Sequence, residues 1–244
     1  MKNKGYNFDG CVSAITFIHS LSVIQNTKRR FKTMNEKEIM SELNNLTRQK
    51  EKWSTSIENV LLILKSTNSK EIKAKSLWLL GEMGLQNSSQ IQDHIQIIAS
   101  FLNAKEPKLR ARAVNALGRI GRTNHLLVMP YWDDMMDMKN DESSDVRMCF
   151  IWACENIATN SPDLYSNYMD IFLELINDKN DRVRIEAPEM FRVIGKRKPK
   201  YVEPYLDKLQ WFADNDLHRV VRIHSAGAVR VTKKALEATK NINE

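Results

Sequence analysis

The sequence predicts an all-α protein, an α-solenoid of about five stacked helix pairs preceded by one capping helix. Three observations predict it. An aliphatic residue followed by a basic one recurs at Ile72-Lys73, Leu109-Arg110, Val146-Arg147, Val183-Arg184 and Val221-Arg222, at separations of 37, 37, 37 and 38 residues. A fixed period in this range marks a chain built from one repeated supersecondary unit. Apolar residues then follow five, eight and eleven positions on, as Leu77, Leu80 and Met83 or Val114, Leu117 and Ile120. That spacing lines one face of a helix. Upstream of each such helix lies a second amphipathic stretch, at residues 56–65, 90–103, 129–138, 164–177 and 202–213. Each unit therefore reads as helix A, a short polar turn and helix B.

Residues 1–33 stand apart. A polar start is followed by an apolar run over 11–24 and then Lys28-Arg29-Arg30. The run is too short to span a bilayer and lacks the flanks of a signal peptide. It reads as a loosely attached segment, with an extra helix at 12–25, and Met34 is the better-looking start. Residues 34–54 read as the capping helix. Asn35 and Glu38 form a capping-box pattern, and Ile39, Leu43 and Leu46 make a narrow apolar stripe. The solenoid then fills 55–244, with repeats at about 55–88, 89–124, 125–161, 162–199 and 200–240. Gly84, Gly121 and Gly195 are expected to close their B helices in the left-handed conformation. Pro130 and Pro204 suit helix starts, whereas Pro188 falls inside helix B of the fourth repeat and should bend it.

Composition excludes several chemistries. The 244 residues hold three cysteines (Cys11, Cys149 and Cys154) in no paired pattern, and five scattered histidines without ligand spacing. No metal site, small-molecule cofactor or disulfide framework is expected, and the sparse cysteines suit a reducing cytoplasm. Gly-rich phosphate loops and nucleophile elbows are missing too.

Asp141, Asp178 and Asp216 each precede the repeat's arginine (Arg147, Arg184, Arg222) by six residues, in the turn between helices. A turn Asp, a Val-Arg opening helix B and small aliphatic residues after it resemble the HEAT-repeat family, over roughly residues 55–240. The resemblance implies that these Asp and Arg residues form a structural ladder between adjacent turns. The first two copies depart from it, with Thr67 and Ala104 at the Asp position and Lys73 at the first Arg position.

Charge is uneven. Residues 71–124 carry eight Lys/Arg against four Asp/Glu, while 125–162 carry two against seven, and the whole chain is at +7. HEAT solenoids line their concave side with B helices, so the resemblance implies a basic concave wall. With the apolar columns buried, that wall should show Lys75, Trp78, Glu82, Arg112, Asn115, Arg119, Trp152 and Asn156. Lys75, Trp78, Arg112, Asn115, Arg119, Trp152 and Asn156 are the candidate binding residues, although aromatics on a half-buried face often serve as packing area. The expected function is a non-catalytic scaffold that binds an acidic or extended protein segment, with no membrane partner. The alternative is a nucleic-acid partner. Two tryptophans, an arginine and an acidic residue on a basic wall resemble the HEAT-like DNA glycosylases that act on alkylated bases. In that reading Glu82 is the catalytic carboxylate, standing where that family has aspartate.

Overall fold

The computed structural model describes residues 33–240. The expected helix at 12–25 lies outside them. Every regular element among the described residues is helical. Thirteen α-helices follow in order: α1 Glu36–Arg48, α2 Trp53–Ser66, α3 Lys70–Gln86, α4 Ser88–Ile91, α5 Ile95–Ala99, α6 Pro107–Thr123, α7 Trp132–Asp137, α8 Ser144–Asn160, α9 Met169–Ile176, α10 Asp181–Arg197, α11 Pro199–Val202, α12 Leu206–Asn215 and α13 Arg219–Lys240. The B helices are α3, α6, α8, α10 and α13. Each of the first four has 17 residues. Contacts divide the chain within α3, giving one compact unit up to Ser76 and another from Leu77 onward.

In the first unit the Asn35 side chain accepts from the Glu38 amide at 3.1 Å, and Glu38 accepts from the Asn35 amide at 2.8 Å. The capping box is thus complete, and it covers two of the amides that a helix start leaves unpaired. The helix ends at Arg48, short of the expected end at residue 54. Gln49 leaves helical geometry at φ −98°, ψ 66°, and the Trp53 indole turns back to donate to Leu46 O at 2.8 Å. Leu43 is the buried residue of α1. By contrast α2 buries Trp53, Ile57, Val60, Leu61, Ile63 and Leu64.

In the second unit the A layer differs from its expected form. The stretches foreseen as single A helices are broken. Residues 90–103 split into α4, a 3-10 turn at Gln92–His94, α5 and a second 3-10 turn at Ser100–Asn103. Pro130 and Pro204 each sit in a 3-10 turn, Met129–Tyr131 and Glu203–Tyr205, that leads directly into α7 and α12. A proline cannot donate the backbone bond that would extend a helix upstream of it. Consequently the full-length α-helices of this unit are the B helices, and their columns form the core.

The buried positions follow the projected columns: Leu77, Leu80 and Met83, then Val114, Leu117 and Ile120, then Ile151, Cys154 and Ile157. Pro188 occupies the same column in α10 and is buried, with the helix continuous from Asp181 to Arg197 around it. In α13 the inward position is Ser225 rather than the projected Ala226, which is exposed. The other projected positions of α13, Val229 and Thr232, stay buried.

The glycines do not play their expected part. Gly84, Gly121 and Gly195 lie inside helices, and no described residue has positive φ. They admit the neighbouring B helix instead. A Cβ on Gly81 would stand 2.7 Å from Ala116 Cα, and one on Gly121 would stand 2.8 Å from Ile157 Cγ1. Gly118 faces Ala153 and Gly195 faces Thr232 in the same way. Helices approach this closely only where a side chain is missing from one of them.

Candidate functional site

The turns between A and B helices are held first. Arg110 donates to Asp141 of the next repeat, Nε at 2.6 Å and a terminal nitrogen at 2.8 Å. Arg147 repeats this to Asp178 at 2.6 and 2.8 Å, and Arg184 reaches Asp216 at 2.6 Å. Each link runs forward 31 or 32 residues, from one repeat to the next. Arg110, Arg147 and Arg222 also hold their own turns. Arg110 donates to Ala104 O at 2.8 Å, Arg147 to Asp141 O at 2.7 Å and Arg222 to Asp216 O at 2.6 Å. Because this second contact uses a backbone carbonyl, Ala104 can stand at the Asp position and Arg110 still joins the series.

Each aspartate also accepts from the amide two residues on, at Ser143 (2.9 Å), Asn180 (2.8 Å) and His218 (2.8 Å). Burial pushes the Asp141 and Asp178 carboxyls up. The bonds from Arg110 or Arg147 and from the amides outweigh it, and both stay below the usual carboxylate range. Paired, hydrogen-bonded charges of this kind are a structural device.

The other face of the B helices carries the candidate binding residues. Arg112, Asn115, Arg119, Trp152 and Asn156 are all half-buried there, as is Trp78. Lys75, also half-buried, belongs to the first unit, and the others to the second. Glu82 and Arg119 form an ion pair between α3 and α6. Arg122 contacts Asn156 Oδ1 at 3.4 Å, while Asn156 donates to Trp152 O at 2.8 Å. The Trp152 indole donates to Glu186 on α10 at 3.1 Å. Two separate links therefore cross this face: Glu82–Arg119 joins α3 to α6, and Arg122–Asn156 with Trp152–Glu186 joins α6 to α8 and α8 to α10. Among the described residues Arg112 has no carboxylate partner. It lies near enough to Cys149 to favour its thiolate, although burial dominates and pushes that thiol up to about 11.

One residue of this surface escaped the column reading. Glu155 holds, in the third repeat, the position that Gly81 and Gly118 hold in the first two. It faces Glu186, Glu189 and Arg192 of α10, and its Oε1 is buried without a hydrogen-bond partner. Burial first, then repulsion from Glu186 and Glu189, pushes its carboxyl up to about 8. The glycine-to-glutamate switch in one column was the available signal. Glu189 in turn pairs with Arg192 and lies 3.5 Å from His224 Nδ1. Along this face α6 carries Arg112 and Arg119, α8 and α10 carry Glu155, Glu186 and Glu189, and Arg192 follows on α10. Among the described residues no group of three or more His, Cys, Asp or Glu is placed to hold a metal ion. No described helix is long and apolar enough to cross a membrane.

Solved structures share this arrangement. An engineered protein superposes with a TM-score of 0.58 at 14% identity, covering 86% of this chain and 97% of its own. Computationally designed armadillo repeat proteins for modular peptide recognition reach 0.57 at 16% identity, covering 84% and 98%. A second engineered protein gives 0.56 at 14%, covering 91% of this chain and 60% of its own. At such identities the likeness shows the fold, an armadillo/HEAT-type α-solenoid. No curated protein matches the chain. The family model described as sister chromatid cohesion protein PDS5 matches residues 37–209, and the chain belongs to that family.

Proposed function

We propose that the protein is a non-catalytic repeat scaffold whose B-helix wall binds a protein segment, acidic where it crosses α6. One observation carries this reading. Arg112 stands half-buried on α6 without a carboxylate partner among the described residues, on the face that also carries Arg119, Trp152 and Asn156. An unpaired cation on a face with tryptophan and amide side chains suits a segment that brings a carboxylate and some apolar area. Two similarities support it. The designed armadillo neighbours were made for modular peptide recognition, and the family is described by sister chromatid cohesion. Proteins of that process are the first partners to try.

The catalytic alternative gains nothing from the geometry, since Glu82 spends its carboxylate on Arg119. The test is direct binding of candidate partner segments to the full chain, with Arg112→Glu beside the wild type. Loss of binding in the variant with an unchanged melting curve supports the reading. Binding that survives Arg112→Glu places the partner elsewhere. If only duplex DNA binds, with the steep salt dependence of phosphate contacts, the ligand is nucleic acid.

A further inference from the structure

A cavity of about 720 Å³ opens between the C-terminal halves of α10 and α13. Its floor is made of Val193, Val231, Ala235 and Pro199, and cations rim it: Arg192, Lys196, Arg197 and Lys234. The rim charges are unequally satisfied. Arg192 pairs with Glu189. Among the described residues Lys196 and Lys234 have no carboxylate partner. Arg197 is fixed by backbone carbonyls alone, donating to Thr159 O at 2.7 Å and to Val193 O at 2.9 Å. Burial and the nearby Arg122 both disfavour its charge, and no carboxylate offsets them.

We propose that this groove is a second docking site, which receives an amphipathic acidic protein segment. An apolar side chain of the segment would seat on the Val193–Val231–Ala235 floor, with its carboxylates reaching Arg197, Lys196 and Lys234. Charge complementarity selects an acidic occupant, because three of the four rim cations have no carboxylate partner among the described residues. The floor selects protein over nucleic acid. A phosphate backbone would use the rim and leave the apolar area wet, whereas a peptide anchor fills it. The size lies within the range of pockets that enclose a side-chain anchor or small ligand. The inference rests on reading the B-helix wall as a protein-binding surface, but it names residues two and three repeats beyond Arg112 and Arg119.

The experiment uses the full chain and a synthetic peptide rich in Glu and Asp with Leu at every fourth position. The peptide carries a photoreactive phenylalanine derivative, and cross-links are mapped by mass spectrometry. Cross-links on α10 and α13 are expected, falling at least tenfold in Lys196→Glu/Lys234→Glu and unchanged in Arg112→Glu/Arg119→Glu. A peptide with Ser in place of Leu should label this groove at least tenfold less. The milder Lys196→Ala/Lys234→Ala pair, with a melting curve for each variant, separates lost binding from lost folding. Cross-links confined to α6 and α8 would overturn the groove while leaving the α6 reading standing. Cross-links confined to α10 and α13 would do the reverse. Equal labelling by the Ser peptide would show a charged patch rather than a docking groove and sink the proposal. No labelling above a peptide with Gln and Asn in place of the acids would remove both sites.

Discussion

The α6–α8 and α8–α10 seams are built to one period, yet they are closed by opposite means. Between α6 and α8, Gly118 and Gly121 let Ala153 and Ile157 come into contact with the helix backbone. Between α8 and α10 the equivalent of Gly118 is Glu155, which meets Glu186, Glu189 and Arg192. The first seam is sealed by dispersion between close-packed atoms. In the second a carboxyl is kept largely in its neutral form because its charge would be buried among like charges. A solenoid's repeats are joined through nearest-neighbour interfaces, so one column can change the chemistry of one interface without disturbing the next.

The largest effect is expected from cutting the ladder that spans the polar seam. Arg147→Ala leaves Asp178 partly buried without its partner and should cost about 3–5 kcal/mol, read as a lowered urea midpoint. The dry seam should respond to bulk. In Gly118→Val the new side chain has to displace Ala153, costing about 1–3 kcal/mol by overpacking. The same measurement checks it, and an unchanged midpoint would mean that the close approach is dispensable.

Glu155→Gln should act in the other direction and depend on pH. The folded carboxyl titrates at about 8, whereas an unfolded one titrates at about 4.3. The folded state therefore holds the extra proton, and Glu155 lowers stability progressively as pH rises from about 4.3 to about 8. The advantage of Glu155→Gln should be near zero at pH 4, grow through this window to at most about 5 kcal/mol, and level off above it. A flat difference across urea melts in that pH series would show that Glu155 is solvated. Asp141 and Asp178 have the opposite sign. Their folded values are depressed, so their contribution is present above the ordinary Asp range and fades as pH falls through the folded values. The smallest effect is expected from Arg112→Ala. As a half-buried residue without an ion pair, it should move stability by no more than about 0.5 kcal/mol, while reducing affinity for the proposed segment.

The ladder was legible in part. The fixed offset from Asp141 to Arg147 pointed to paired turns, because both residues sit in one short stretch whose geometry is local. That Arg147 grips its own turn with one nitrogen and the next repeat's Asp178 with two others is a matter of stacking distance, which no local pattern encodes. The candidate wall behaves alike. Helical spacing placed Arg119, Trp152 and Asn156 on one face, but the Glu82–Arg119 pair and the Trp152–Glu186 bond depend on how neighbouring helices meet.

The sequence alone determined the period, the helical class, the inward columns and the capping box at Asn35, since each follows from residue spacing along a single helix or turn. Only the tertiary structure decided the rest. Gly84, Gly121 and Gly195 looked like helix ends and proved to be contact points, because the same missing side chain permits both a left-handed turn and a close neighbour. The A stretches looked continuous and are broken into α-helical and 3-10 pieces. Glu155 looked like one more polar residue of helix B. Its buried setting comes from α10, folded against it more than thirty residues later, and burial is a property of the packed neighbour rather than of the residue.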